Sequence, residues 1–237
     1  NDLSVGVAMT DGKGDRSKRP SQQEVRDAYV HVTERRKDGI VISGVKAIIT
    51  GAPYMHEFLV MPCRRMQEDD KDFTIACAVP VDAEGITIVA RPAGRPENPA
   101  AKMSAKFAQA VGVAHFDNVF VPYDKVFIDG ETEEAHIMTT HYATHHRHSC
   151  IGARAGFGDL LIGAGAMMAE ANGLDVEKKG HMREKMVDLI KITEGFYACG
   201  IAASTMGVHD EAGNFRPDQI YANIGKLLLA NQIYDMH

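Results

Sequence analysis

The sequence lacks tryptophan, has only four cysteines in 237 residues, and shows no excess of positive charge. The cysteines form no CxxC pair, which excludes a disulfide framework and a complete zinc site. A formal net charge of −6 argues against a nucleic-acid-binding protein, which would present a basic face. No apolar run approaches the roughly 20 residues of a membrane helix, and no signal peptide is recognisable. We therefore expect a cytoplasmic protein without nucleic-acid or membrane partners.

The two halves of the chain differ in hydrophobic periodicity. Up to Gly130, short β-like runs alternate with turn residues, as in an antiparallel sandwich or barrel. The predicted strands are Val5–Met9, Ala28–Arg35, Ile40–Ser43, Val45–Thr50, Phe58–Met61, Phe73–Val79, Ile86–Ala90, Val111–Phe116 and Asn118–Val121. Helical periodicity then covers about residues 139–172, 176–207 and 216 onward. This pattern predicts an α+β protein with a β-domain at 1–130, part of a helical bundle at 131–237, and a cleft near 122–140.

Local signals refine this outline. The clearest predicted hairpin joins Tyr29–Val32 to Ile40–Ile42 through Asp38–Gly39, which we expect to supply the positive φ angles of a tight turn. Asn172–Gly173 is predicted to cap the first helix, and Gly207 with Gly213–Asn214 to separate the second from the third. The second helix is predicted to bury one apolar stripe, formed by Met182, Met186, Leu189, Ile190, Thr193 and Tyr197.

Two segments of the predicted β-domain are candidates for ligand contacts. A polar loop, Met9–Arg16, follows the first strand, and its backbone N–H groups with Lys13 and Arg16 suit a flavin ring edge or a pyrophosphate. The alternative is an exposed polar turn. The strand Val45–Thr50 ends before Gly51, where a hydroxyl and a bare backbone can approach a planar ligand, although an ordinary strand end is also consistent.

A histidine cluster is the sharpest local anomaly, and we expect it near the start of the first long helix. Helical spacing predicts that His141, His145 and His148 share one face, while His146 and Cys150 form a pair on another. Imidazole and thiol groups transfer protons or ligate iron and zinc. Because no carboxylate stands at ligand spacing, the cluster predicts a polar site at the mouth of the bundle rather than an autonomous metal site.

Small residues are frequent in the stretch that follows the cluster. Arg154–Asp159 contains Gly156 and Gly158, and Gly163 and Gly165 come soon after. Glycine inside a helix costs stability unless a ligand or another backbone approaches closely, so either close helix packing or a ligand is expected here. Cys63, Cys77 and Cys199 are assigned to the core.

Taken together in this order, the segments resemble the 4-hydroxybutyryl-CoA dehydratase and 4-hydroxyphenylacetate 3-hydroxylase family, and the dehydratase branch more closely. The family shares the acyl-CoA dehydrogenase fold. The motifs that carry the resemblance are Ala8–Asp11 with Lys13–Arg16, Glu34–Val41 with Gly44–Ala47, Phe116–Pro122, His146–Ser149, Gly156–Asp159 and Ile162–Ala164.

The resemblance implies FAD held between the β-domain and the helices, in a homotetramer whose FAD sites are shared between subunits. It also implies that the chain is a fragment lacking the N-terminal helical domain. The implied cofactor-binding residues are Met9, Thr10, Lys13, Gly14, Asp15, Arg16, Ile48, Ile49 and Thr50. Thr50 is expected near the flavin ring, where its hydroxyl meets the flavin or an acyl thioester.

Dehydratases of the family also carry a [4Fe-4S] cluster, bound in part by a histidine and a cysteine on the active-site helix. His146 matches that histidine, but Ala153 stands at the cysteine position and Cys150 at the position of a catalytic tyrosine. We therefore predict His146, Cys150 and Arg154 as catalytic residues, with Arg154 replacing a family lysine. No metal ligands are assigned, because His146 and Cys150 would serve only if the cluster were retained.

The leading hypothesis is a FAD-dependent enzyme that dehydrates, isomerises or desaturates an acyl-CoA thioester. A second hypothesis is a two-component aromatic monooxygenase, in which reduced flavin and oxygen hydroxylate a small phenol. A third is a non-catalytic descendant that keeps the fold as an assembly partner, motivated by the missing cysteine and tyrosine.

Overall fold

The computed structural model describes residues 2–94 and 102–236. It divides into two compact units, Asn1–Thr139, called the β-unit below, and Thr140–His237, called the helical unit. The strands are β1 Val5–Ala8, β2 Thr10–Asp11, β3 His31–Arg35, β4 Gly39–Thr50, β5 Glu57–Val60, β6 Ile75–Pro80, β7 Ile86–Arg91, β8 Val111–Pro122, β9 Val126–Asp129, β10 Val208–His209 and β11 Phe215–Arg216. The α-helices are α1 Lys102–Phe107, α2 Thr132–Ala171, α3 Gly180–Thr205 and α4 Gln219–Met236. The predicted α+β organisation is confirmed.

Two sheets build the β-unit. One sheet has the order β1-β5-β6-β9, and the other has the order β2-β4-β8-β7, with β3 also paired to β4. All pairings are antiparallel as predicted except one, because β1 runs parallel to β5. After β1, the chain forms β2, β3 and β4 in the second sheet and then returns to the first sheet as β5. Parallel neighbours need a long crossover of this kind between them.

The core of the β-unit lies between the two sheets. Its side chains come from alternate positions of strands in both, as expected when each strand buries one face. The largest fully buried members are Phe58, Phe116, Ile40, Ile42, Ile49, Ile75, Val60, Val79 and Val119.

Two long strands correct the predicted strand boundaries. The sequence predicted breaks at Gly44 and at Asp117, yet β4 and β8 each run through these positions for 12 residues. The register of their pairing shifts between Ile42 and Gly44, where Gly44 has φ 130°, and Asn118 on β8 has φ 51°. The turn-like residues therefore mark bulges inside strands rather than chain reversals.

The β3–β4 hairpin is confirmed, but the predicted role of its glycine is wrong. Neither Asp38 nor Gly39 has a positive φ. A Cβ atom at Gly39 would instead collide with the carbonyl oxygen of Val121 and with the Phe120 ring. Glycine is needed here because β8 approaches closely, and the Arg36 N–H closes the turn on the Gly39 oxygen at 2.8 Å.

Helix α2 is longer than predicted. It spans 40 residues from Thr132, so the histidine cluster lies in its interior and not near its start. The predicted cap is confirmed: Gly173 has φ 70°, and the Leu174 N–H donates to the Ala169 oxygen at 2.9 Å. The predicted Gly213–Asn214 turn is also present, with Gly213 at φ 83°, and it joins β10 to β11.

The buried face of α3 differs from the predicted stripe. Thr193 is buried, but Ile190 and Tyr197 are 45% and 46% exposed. The core of the helical unit uses Ile192 and Phe196 instead, packed with Ile151 and Ala155 of α2 and with Leu229 and Met236 of α4. Close helix packing explains one of the glycines, because a Cβ at Gly158 would collide with Thr193. No helix in the part of the chain that the structure describes is both long enough and apolar enough to span a membrane.

Candidate functional site

The two ligand-binding segments predicted in the β-unit meet through the pairing of β2 with β4. The predicted loop is partly a strand, and Thr10 pairs with Ala47 while Asp11 pairs with Lys46. The side chain of Thr50 is exposed at the end of β4. The predicted cofactor residues Met9 and Thr10 thus lie beside the segment that contains Ile48, Ile49 and Thr50.

Ile48 is the most unusual residue of this surface. Its φ is 58°, in the left-handed region that a β-branched residue rarely adopts, and its side chain is 69% exposed. It occupies a bulge in which the register against β8 jumps from Lys46–Ala114 to Ile49–Gly112. Backbone strain of this kind costs about 1–3 kcal/mol and is concentrated at functional sites. The bulge therefore exposes an apolar side chain on the surface of the β-unit, where a ligand can contact it.

The end of the loop is held by hydrogen bonds to Gln23, which lies further along the chain. The Asp15 N–H donates to Gln23 Oε1 at 2.9 Å, and Gln23 Nε2 donates to the Asp15 oxygen at 2.8 Å. Lys13 and Gly14 both have positive φ, 70° and 47°. Within the residues described, the side chains of Lys13 and Arg16 have no hydrogen-bond or ion-pair partner, so both cations are available for a ligand.

A buried ion pair lies beneath this surface. The ammonium of Lys46 lies 2.5 Å from Asp11 Oδ1 and donates to the carbonyl oxygens of Met9 and Met61 at 3.0 and 2.9 Å. Both side chains are at most 3% exposed. Asp11 Oδ2 is buried with no hydrogen-bond partner among the described residues. The signal in the sequence that could have indicated this pair is the lysine within the apolar run of β4.

The cysteines of the β-unit are not arranged as nucleophiles. Burial, followed by the charge of Asp11, raises the pKa of the half-buried Cys63 thiol. Burial raises the pKa of Cys77 to about 12. Cys77 lies in the core as predicted, whereas Cys63 is only partly buried.

Asp70 anchors the segment that follows the loop. Its carboxylate accepts hydrogen bonds from the Arg19 guanidinium, from the N–H and hydroxyl of Ser21, and from the Gln67 N–H. Burial alone would raise the pKa of Asp70, but these donors outweigh burial and lower it below its usual value. A carboxyl group with a lowered folded-state pKa stabilises the fold above its unfolded pKa, and this contribution is lost as pH falls through the folded pKa.

We expect Asp70→Asn to lower the free energy of unfolding by about 2 kcal/mol at neutral pH. The amide NH2 group would face the N–H and O–H donors that now bind the carboxylate, and it could not accept their hydrogen bonds. The variant should also lose part of the acid sensitivity of the wild type below about pH 4. Urea denaturation between pH 3 and 7 measures both effects. Asp72→Asn is the control, because Asp72 pairs with Arg26 and Arg35 at the surface and should cost under about 1 kcal/mol. Equal costs for the two variants would contradict the anchoring role of Asp70.

In the helical unit, the three predicted catalytic residues fall at four-residue steps along α2. The imidazole Nε2 of His146 lies 3.7 Å from the Sγ of Cys150. Arg154 is exposed, with its guanidinium carbon 6.0 Å from the centre of the Phe157 ring. The predicted pairing of His146 with Cys150 is therefore observed, and Arg154 follows one turn later.

The three histidines predicted to share a face do not share a site. His141 and His145 line a cavity of about 260 Å³ with Arg216 and the start of α4, and burial followed by Arg216 lowers the pKa of His141. His148 instead contacts α3, with Nε2 at 3.1 Å from the Gly200 oxygen and 2.9 Å from Ser204 Oγ. His148 has a structural role, and the sequence could not assign it because the partner lies on another helix.

Two family models match the chain. The model described as 4-hydroxyphenylacetate 3-hydroxylase N terminal matches residues 1–128, and the one described as C terminal matches residues 135–237. The chain belongs to the 4-hydroxyphenylacetate 3-hydroxylase family. Within this family, it is 37% identical over its whole length to a 4-hydroxybutyryl-CoA dehydratase/vinylacetyl-CoA-Delta-isomerase of Clostridium aminobutyricum. The chain spans about half of that relative, 49% of its length.

Solved structures agree with this assignment. An oxygen-tolerant archaeal 4-hydroxybutyryl-CoA dehydratase from N. maritimus superposes with a TM-score of 0.92 and 35% identity over 99% of this chain and 47% of that one. The oxygenase component of 4-hydroxyphenylacetate 3-monooxygenase, complexed with FAD, gives a TM-score of 0.86 and 25% identity over 99% and 49%. A glutaryl-coenzyme A dehydrogenase, at 14% identity and a TM-score of 0.69, shows that the fold is acyl-CoA dehydrogenase-like.

The side chains on α2 do not fit the family's four-ligand cluster. Ala153 stands where the second ligand of the helix is expected, and it has no donor atom. Among the described residues, no three histidine, cysteine or acidic side chains come together as a metal site.

Proposed function

We propose that this chain is part of a FAD-dependent enzyme that acts on an acyl-CoA thioester, in the manner of a 4-hydroxybutyryl-CoA dehydratase, and that it works without an iron-sulfur cluster. The observation that carries the proposal is the pairing of β2 with β4, which joins the two predicted flavin segments into one surface. The 37% identity to a dehydratase over the whole chain favours this chemistry over the alternatives. A cytoplasmic homotetramer is also proposed, on the family resemblance.

The residues of the β-unit suit a flavin. The exposed Ile48 side chain offers an apolar contact for a planar ring. Thr50, two residues further along β4, is also exposed, and Thr10 lies on the neighbouring strand opposite Ala47. Lys13 and Arg16 offer two cations to the pyrophosphate. FAD, when bound, supplies a centre that accepts electrons from the substrate and returns them.

The α2 helix supplies groups for moving protons. An imidazole can both accept and donate a proton, so His146 is suited to remove or return a proton beside the thioester carbonyl. Arg154 places a fixed positive charge on the same helix, where it can offset the charge that develops on a thioester oxygen. These roles require no metal.

The proposal is tested on the full-length protein, purified without oxygen. We expect bound FAD, iron below one atom per subunit, and loss of water from 4-hydroxybutyryl-CoA. His146→Ala should lower kcat by about 100-fold or more with the FAD content unchanged, whereas the control His145→Ala should change kcat little. A protein that binds no flavin and turns over no hydroxyacyl- or enoyl-CoA would overturn the proposal.

A two-component aromatic monooxygenase is the second candidate, because the chain is also similar to the FAD-bound oxygenase component over 99% of its length. Oxygen-dependent consumption of 4-hydroxyphenylacetate with supplied reduced FAD would favour it. Bound flavin without any turnover would favour a non-catalytic descendant, as the third hypothesis holds.

A further inference from the structure

Tyr142 extends the stripe of predicted catalytic residues on α2 by one turn. Its ring lies parallel to the His146 imidazole, with the ring centres 5.8 Å apart and the planes inclined by 6°. On the opposite side, the Sγ of Cys150 lies 3.7 Å from His146 Nε2. The exposed imidazole is therefore held between an aromatic ring and a thiol, and neither the loop of the β-unit nor the predicted flavin contacts explain this arrangement.

The three groups have complementary chemistry. A thiol reacts as a nucleophile after it loses its proton, and a neighbouring imidazole is the usual acceptor of that proton in proteins. Burial, followed by the charge of Cys150, raises the pKa of Tyr142. The Tyr142 hydroxyl thus stays protonated at neutral pH, and the residue contributes a ring surface rather than a charge.

The reacting pair is accessible to a substrate. The Cys150 side chain is partly exposed, and the His146 imidazole beside it is exposed. The arginines on neighbouring turns, Arg147 and Arg154, stay protonated and cannot accept the proton of the thiol. His146 is therefore the base positioned on the thiol.

We propose that Cys150 is a nucleophile toward electron-poor alkenes of the 2-enoyl thioester class, with His146 as its base and Tyr142 as a positioning residue for the imidazole. This substrate class rests on the proposed function, since dehydration or isomerisation of an acyl-CoA yields such an alkene. Sγ bonds to the β carbon, the alkene electron pair moves to the α carbon, and that carbon takes the proton that His146 removed from the thiol. No oxidant or reductant is consumed.

The first test does not depend on flavin or on turnover. The full-length protein is treated with N-ethylmaleimide at pH 7, and the alkylation rate of each cysteine is followed by peptide mass spectrometry. Cys199 is the internal reference, because its side chain is also partly buried. It packs closely against α4, since a Cβ atom built on Gly225 would lie 2.9 Å from the Cβ of Cys199. We expect Cys150 to react about tenfold faster than Cys199.

Variants separate the roles. His146→Gln should remove most of this advantage, while His145→Gln, which removes a neighbouring imidazole from a different face, should keep it. Tyr142→Leu should slow alkylation several-fold, and Tyr142→Phe should restore the wild-type rate because only the ring is required. Equal rates for Cys150 and Cys199, or a rate unaffected by His146→Gln, would overturn the thiol-imidazole pair. Equal rates for the leucine and phenylalanine variants would overturn the role of Tyr142.

The second test addresses the electrophile. Incubation with crotonyl-CoA, a 2-enoyl thioester, should add the mass of the intact thioester to the peptide that contains Cys150, and Cys150→Ser should abolish the adduct. Fast maleimide labelling without any crotonyl-CoA adduct would refute the assigned substrate class. Because both tests are read on the peptide, an enzyme that lacks flavin or turnover would refute the proposed function without altering the maleimide result.

Discussion

Lys46→Met should destabilise the β-unit by about 3–5 kcal/mol, because it would leave the Asp11 carboxylate buried and charged without its partner. Methionine keeps most of the volume of the lysine chain, so the loss would come from electrostatics rather than from a cavity. The Met9 and Met61 oxygens would also lose their donor. Since Met9 begins the predicted flavin loop, bound FAD should be released at lower urea concentration than in the wild type.

Two controls isolate this effect. Lys71→Met removes an exposed ion pair with Glu68 and should cost under about 1 kcal/mol. The double variant Asp11→Leu/Lys46→Met removes both buried charges and should recover a large part of the loss, since neutral pairs avoid the desolvation penalty. Urea denaturation gives all three values. A Lys46→Met cost no larger than that of Lys71→Met would contradict the account.

Gly44→Ala should be at least as damaging, with an expected loss of about 3 kcal/mol or more. At φ 130° an alanine is strained, and its Cβ would overlap the Tyr29 oxygen and lie 2.7 Å from the Val30 Cα. Both obstacles are backbone atoms, so a side-chain rotation cannot relieve the contact. We expect reduced solubility on expression and a lower urea midpoint.

Gly213→Ala is the matched control for this glycine. Gly213 also has a positive φ, 83°, but a Cβ there would meet no described atom within 4 Å. It should cost about 1 kcal/mol, the penalty of the left-handed conformation alone. The difference between the two variants measures the steric part, and a difference near zero would show that the Tyr29–Val30 backbone can move away from β4.

Features fixed by neighbours in sequence were predictable. The β3–β4 hairpin and the Gly173 cap follow from short local patterns, and both are present. His146 and Cys150 meet because a helix brings residues four apart together, so their contact could be expected before the fold was known.

Features that depend on distant segments were not predictable in the same way. Gly39 looked like a turn glycine, but its requirement comes from the Val121 oxygen on β8. The parallel pairing of β1 with β5 depends on the route of the chain between sheets. For the same reason the sequence, in which Asp11 and Lys46 belong to separate segments, did not show that the two side chains form a buried ion pair.

The bulge at Ile48 determines what happens when one codon is lost from the part of the gene that encodes β4. In an uninterrupted strand, Lys46, Ile48 and Thr50 would point to one side and Ala47 and Ile49 to the other. The extra residue reverses this parity, so Lys46 and Ile49 are both buried while Thr50 is exposed. Loss of the Ile48 codon would match two residues of β4 to two of β8, so the strand would become regular with Ile49 still buried and Thr50 still exposed. Such a shorter strand would keep its core face and lose only the exposed apolar side chain of Ile48, so the extra codon contributes to the surface rather than to the core.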